Sequence, residues 1–165
     1  MTPASPAVTK AVDSYLYRLC IDEGFHDVVS EYGLEPFELL ANSIERTSSI
    51  KYSHCATTTW QARSPPRQSR HIYDLNKLSS VVSFDETLAV LFDKVRLQRK
   101  SSHGCFSAQD DVDIPSVLEA MIKEDAYRDD YENVTAHLLF EAVPYEAAAR
   151  SILLIAEFAR TISVH

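Results

Sequence analysis

Three glycines in 165 residues constrain this chain more than any other feature of it. A sandwich or barrel of short strands needs turn residues at every reversal, and a chain this poor in glycine cannot supply them. Ala, Leu, Glu, Lys and Arg dominate the second half, so the predicted fold is mainly α-helical, with any strand confined to the N-terminal third. The length is that of one domain, sufficient for a substantial core. No apolar run reaches bilayer length, and Met-Thr-Pro-Ala-Ser-Pro lacks the basic start and apolar centre of a signal peptide, so a cytoplasmic protein without a membrane segment is expected. Cys20, Cys55 and Cys105 are odd in number and widely spaced, which predicts reduced thiols. His54-Cys55 and His103-Gly104-Cys105 are fragments too sparse to predict a zinc site.

Taken in order, a first helix is predicted from Val8 or Thr9 to Glu23, with Gly24 just past its end. Pro36 predicts a helix through Glu38-Leu39-Leu40-Ala41. Thr57-Thr58-Thr59-Trp60 is β-branched and aromatic and Ser64-Pro65-Pro66 breaks helices, so Cys55 to Gln68 is predicted as a loop, with Trp60 a core plug or a lid. Ser83 to Glu86 has the capping-box spacing, with Ser83 as N-cap of a helix whose buried stripe is Leu88, Leu91, Phe92 and Val95. The acidic residues from Asp110 to Asp113 lack the glycine and distal glutamate of a calcium loop and read as a capping loop before Pro115. An amphipathic stretch is predicted from about Tyr127 to Glu141, and Pro144 begins a last helix with Ala148, Ile152, Ile155 and Phe158 at helical spacing. The domain division expected is a helical lead-in over 1–43 and a helical domain over 44–165.

Charge is uneven along the chain. Arg46 to Lys100 holds ten Lys and Arg against four Asp and Glu, whereas the remainder holds six against twenty. Arg63, Arg67 and Arg70, with Lys94, Arg96, Arg99 and Lys100, are therefore candidates for a phosphate-facing surface on an otherwise acidic protein. The cations from Arg96 onward also suit the negative end of a helix dipole.

The segment Ser69-Arg70-His71-Ile72-Tyr73-Asp74-Leu75-Asn76-Lys77-Leu78 sorts apolar and charged residues onto separate helical faces. Ile72, Leu75 and Leu78 form the stripe. Arg70 and Lys77, four and three residues from Asp74, would hold its carboxylate between two cations and keep it ionised. This segment resembles the helix of the AbiEii/AbiGii toxin family of nucleotidyltransferases, whose pattern is approximately Arg-His-x-Tyr-Asp-Leu-x-x-Leu. Upstream, Arg46-Thr47-Ser48-Ser49-Ile50-Lys51 resembles the family's Arg-Thr-x-x-Glu-Lys, with Ile50 in place of the Glu. Downstream, Asp130-Tyr131-Glu132-Asn133-Val134 and the segment from Pro144 resemble its Asp-Tyr-x-x-Met element and helical hairpin. The resemblance covers about Ile44 to Ser163, and it implies a helix that opens near Ile44 and carries Arg46 and Lys51.

It implies a helical bundle like the C-terminal part of the AbiEii-like fold, residues 1–43 being a remnant of the nucleotidyltransferase region. It implies a toxin of a toxin-antitoxin pair in phage defence (abortive infection), using NTP and Mg²⁺ on an RNA (tRNA) acceptor, with a cognate antitoxin protein as partner. Carried over residue by residue, Lys51 is the phosphate-facing lysine and Asp74 the later catalytic aspartate, with Arg46 and Arg70 as supporting nucleotide-binding cations. The family's Gly-Ser turn and acidic pair have no counterpart: the glycines are followed by Phe25, Leu34 and Cys105, and no metal ligand is assigned. A chain incomplete for catalysis, or a non-enzymatic helical module that binds a partner, are the two functional expectations. Lys51 and Asp74 are expected on neighbouring helices with their charged ends converging and Arg70 reaching the same cleft, whereas as mere surface charges their heads would lie well over about 10 Å apart.

Overall fold

A computed structural model of the chain describes residues 7–61, 68–102 and 104–162. It is mainly helical. Among the described residues the only strands, β1 (Ala7–Val12) and β2 (Phe37–Asn42), lie in the N-terminal third, and no helix is long and apolar enough to cross a membrane. The chain divides into two compact units, Met1–Ser43 and Ile44–His165.

The first unit departs from the helical lead-in predicted for it. β1 and β2 pair antiparallel, from Ala7 with Asn42 to Val12 with Phe37, where helices through Val8 and through Glu38 to Ala41 were expected. Val8, Thr9 and Val12 suit a pleated surface, and each strand supplies the partner that the other's backbone groups need. The first helix, α1 (Tyr15–Asp22), therefore starts later, where the Ser14 side chain accepts from the Tyr17 N–H at 3.0 Å. α2 (His26–Tyr32) ends on Gly33, whose φ of +60° only glycine adopts freely.

The second unit is all helical: α3 (Ile44–Gln61), α4 (Arg70–Ser79), α5 (Glu86–Lys100), α6 (Ile114–Lys123), α7 (Arg128–Asn133) and α8 (Tyr145–Ile162), with 3-10 turns at Phe106–Ala108 and Thr135–Leu138. α3 packs against α4, α5 and α6, and α8 against α4 and α6. Ile72, Leu75, Leu118, Met121, Ile152 and Ile155 meet in the core between them.

Three boundaries differ from expectation. α3 runs through the segment predicted as a loop, because its threonines turn their hydroxyls back into the helix, Thr57 to Ser53 O and Thr58 to His54 O and Cys55 O, while Cys55, Ala56 and Thr57 are buried. Packing overrides a modest propensity penalty. The Ser64-Pro65-Pro66 break and the Trp60 side chain lie outside what is described. The cap of α5 is Asp85, not Ser83, and its carboxylate accepts from Leu88 N at 3.0 Å. The predicted amphipathic stretch from Tyr127 is broken into α7 and a 3-10 turn, held where Tyr131 Oη donates to Val143 O at 2.9 Å.

That bond supports a paired prediction. Tyr131→Phe strands a carbonyl and costs about 1 kcal/mol, whereas Tyr52, whose buried hydroxyl has no hydrogen-bond partner among the described residues, becomes Phe at no cost or with a gain. Urea unfolding of the two variants checks the contrast, and an equal loss in both refutes it.

Candidate functional site

The site forms where α3 passes α4. Lys51 projects from α3, and its Nζ lies 2.5 Å from Asp74 Oδ2 and 3.2 Å from His71 Nδ1. His71 and Asp74 are one turn apart on α4, so both present to the same ammonium. His71 Nε2 lies 3.0 Å from Gln68 Oε1. An ammonium has donors only, so Nδ1 must accept from Lys51; the neutral ring then carries its proton on Nε2 and donates it to Gln68. The His54 ring, one turn along α3, meets His71 edge to face at 4.6 Å.

These contacts set the charges. Asp74 is held below the ordinary carboxylate range, with His71 and Lys51 lowering it and partial burial opposing them. The His71 nitrogen, 3.8 Å from Oδ2, is beyond hydrogen-bond length, so Lys51 is the partner that anchors the charge. Burial first, and then His71, lower the His54 pKa. Burial pushes the Cys55 thiol up to about 12, which removes it as a nucleophile at neutral pH.

The depressed Asp74 value has a definite sign for stability. A carboxyl that binds its proton more weakly when folded stabilises the fold above its unfolded pKa, about 3.9, and that contribution is lost as pH falls through the lower folded value. Asp74→Asn should therefore flatten the acid limb of the stability curve below about pH 4. Urea midpoints measured down the acid range check it; an unchanged limb would mean that Asp74 is not held low.

Of the residues singled out in the sequence, the structure brings Lys51 and Asp74 together and leaves the other two elsewhere. Arg46 lies five residues, about 140°, around α3 from Lys51, and its buried guanidinium donates to Gln98 Oε1 on α5 at 2.7 Å. Arg70 is exposed on the first turn of α4, and no ion pair joins it to Asp74 among the described residues. Lys77 pairs with Glu141 at 2.7 Å. The cation on Asp74 thus comes from the neighbouring helix, not from its own, which corrects the ladder expected from spacing.

The phosphate surface expected along α5 is also spent differently. Arg96 donates to Gln109 O and Val112 O, Lys100 pairs with Asp110, and Arg99 Nε donates to Cys105 Sγ at 3.0 Å. These cations hold the segment between α5 and α6 in place; Arg63 and Arg67 lie outside the described residues. Around Cys105 the hydroxyls of Ser53, Thr57 and Ser107 form a buried network, with Thr57 Oγ1 and Ser107 Oγ 2.7 Å apart. Burial opposes ionisation of this thiol, but the Arg99 guanidinium together with the Thr57 and Ser53 hydroxyls outweighs it and lowers its pKa.

Sequence reasoning gave no role in this site to His71 or Gln68, and weighed His54 only as a fragment of a zinc site. His71 was detectable, standing three residues before Asp74 on a helix. Gln68 was not, because it precedes the helix and its reach depends on the chain path into α4.

The Mg²⁺ that the resemblance implies does not fit the residues present. Among the described residues no group of three His, Cys, Asp or Glu could hold a metal ion, and the Asp74 carboxylate is already engaged by Lys51. The Lys51 ammonium suits an anion better: two of its three donors go to Asp74 and His71, and the third can take a phosphate oxygen. Comparison with protein-family models, curated proteins and solved structures found no match.

Proposed function

We propose that residues 44–165 are the helical, C-terminal part of an AbiEii-like nucleotidyltransferase toxin, in which Lys51 faces a nucleotide phosphate and Asp74 serves as the later catalytic aspartate. The observation that carries this reading is the 2.5 Å contact between Lys51 and Asp74. Residues 23 positions apart, named by two separate stretches of the resemblance, meet across two helices. In this reading NTP is the substrate, an RNA such as tRNA the acceptor and a cognate antitoxin the partner, while the Mg²⁺ that such transfer uses would need ligands beyond those of the described residues.

The reading includes incompleteness. Nucleotidyl transfer needs carboxylates to hold the metal and a cradle for the triphosphate, and without them the developing charge has too little stabilisation. The purified chain is therefore expected to bind triphosphate through Lys51 and to transfer none. A second reading, a non-enzymatic helical module that binds a partner, is favoured by the missing set of metal ligands among the described residues.

Calorimetric titration of ATP into the chain and its Lys51→Ala variant, beside an assay for Mg²⁺-dependent labelling of tRNA, separates the possibilities. Triphosphate binding that falls roughly tenfold, about 1.4 kcal/mol, in the variant, with no labelling, supports the proposal. Binding indifferent to Lys51 leaves the partner-binding module, and robust labelling by the chain alone refutes its incompleteness.

A further inference from the structure

The N-terminal half of α5 and the C-terminal end of α8 line a groove of about 510 Å³. Phe84, Ala89, Val90 and Phe158 make its floor. Phe84 is 40% exposed and Val90 61% exposed, so this floor is presented to solvent, although it is firmly anchored. Phe158 meets Phe84 edge to face at 5.2 Å and Phe92 at 6.0 Å, and Phe92 stacks on Tyr52 at 4.9 Å, which ties the groove into the core. Leu97, also exposed, continues the apolar line two turns, about 10 Å, further along α5.

The rim carries a single sign of charge. Asp85, Glu86 and Asp93 line the groove, with no Lys, Arg or His among its lining residues. Asp85 is occupied as the cap of α5. Glu86 and Asp93 join no ion pair among the described residues. Three acids above an apolar floor select among occupants. A nucleic acid is repelled, and so is a second copy of a chain whose net charge is −8. What complements the groove is an apolar anchor flanked by cations.

We propose that the groove between α5 and α8 docks an amphipathic segment of another protein, with an apolar side chain seated on Phe84, Val90 and Phe158 and lysines or arginines facing Glu86 and Asp93. The exposed floor supplies the affinity, and the acidic rim sets the orientation and excludes anionic partners.

The test uses the isotope-labelled full chain, titrated in an NMR experiment with a short amidated helical peptide bearing Leu and Phe on one face and Lys on the other. A scrambled peptide of the same composition, whose apolar residues share no face, is the control. The expected result is perturbation of amides at 84–93 and 158–161, with the patterned peptide binding roughly tenfold more tightly than the scramble. Val90→Glu and Asp93→Lys should each remove roughly that tenfold preference, whereas Asp22→Lys, which changes the net charge by the same amount as Asp93→Lys but in the other unit, should not. Both α5 substitutions fall on exposed positions, so loss of folding does not confound them. Equal binding of the two peptides, or an equal effect of Asp22→Lys, would reduce the interaction to net charge and overturn the proposal. Self-association of the chain abolished by Val90→Glu, seen by light scattering, would overturn it in favour of a second copy.

Discussion

Leu75→Ala lowers the stability of the 44–165 unit by about 3 kcal/mol, inside the range of roughly 2–5 kcal/mol for truncating a fully buried leucine. Leu75 has no solvent exposure and sits in the core cluster with Ile72, Leu118 and Ile152. It lies on α4, the helix that packs on both α3 and α8, so a cavity there is bounded by three helices and collapses poorly. The substitution also reaches the site. Asp74 is the preceding residue, and any shift of α4 lengthens its contact with Lys51. The urea midpoint should fall, and the Asp74 titration followed by NMR should move up towards the ordinary carboxylate value. Leu97→Ala, on the exposed face of α5, should stay within about 0.5 kcal/mol of the wild type. Comparable losses in the two variants would refute the assignment of the core.

The second large effect is a charge exchange at the site. Lys51→Asp sets two carboxylates against each other where an ion pair stood, and Asp74→Lys sets two ammonium groups against each other. At an effective dielectric of 20 two unit charges 4 Å apart interact by about 4 kcal/mol. With Asp74 35% and Lys51 28% exposed in their side chains, screening reduces the expected cost of either variant to about 1–2 kcal/mol. The double exchange, Lys51→Asp with Asp74→Lys, should recover most of that cost, because attraction is restored with its sense reversed. Triphosphate binding should not recover, since the proposed phosphate donor now projects from the other helix with a different reach. A double variant as unstable as the sum of its parts would mean that the two side chains do not interact.

Parts of this fold were legible because they depend on local periodicity. The stripes of α4 and α8 and the start of α8 after Pro144 follow from apolar spacing and proline placement, which report which face a helix buries without reference to its neighbour. β1 and β2 were not legible. They pair across α1 and α2 with no hairpin turn between them, so their signal is the fit of two segments remote in sequence, and each taken alone resembles the start of a helix. The continuation of α3 through Thr57 and Thr58 was hidden for a related reason: burial against α6 and the hydroxyl network around Ser107 stabilise it, and neither is present in the local sequence.

The candidate site divides along the same line. Periodicity and composition determined by themselves that Asp74 stands on a helix beside a buried stripe, and the matched stretches of the resemblance drew Lys51 and Asp74 to notice. Which cation meets Asp74 was decided only by tertiary structure. Arg70 and Lys77 are near it along the helix, yet Lys77 reaches Glu141 and Arg70 stays on the exposed first turn, while α3 delivers Lys51 to within 2.5 Å. The physical reason is that helical spacing constrains neighbours on one helix only, whereas the partner of a half-buried charge is set by how two helices pack, and that depends on the apolar contacts each makes with the rest of the core.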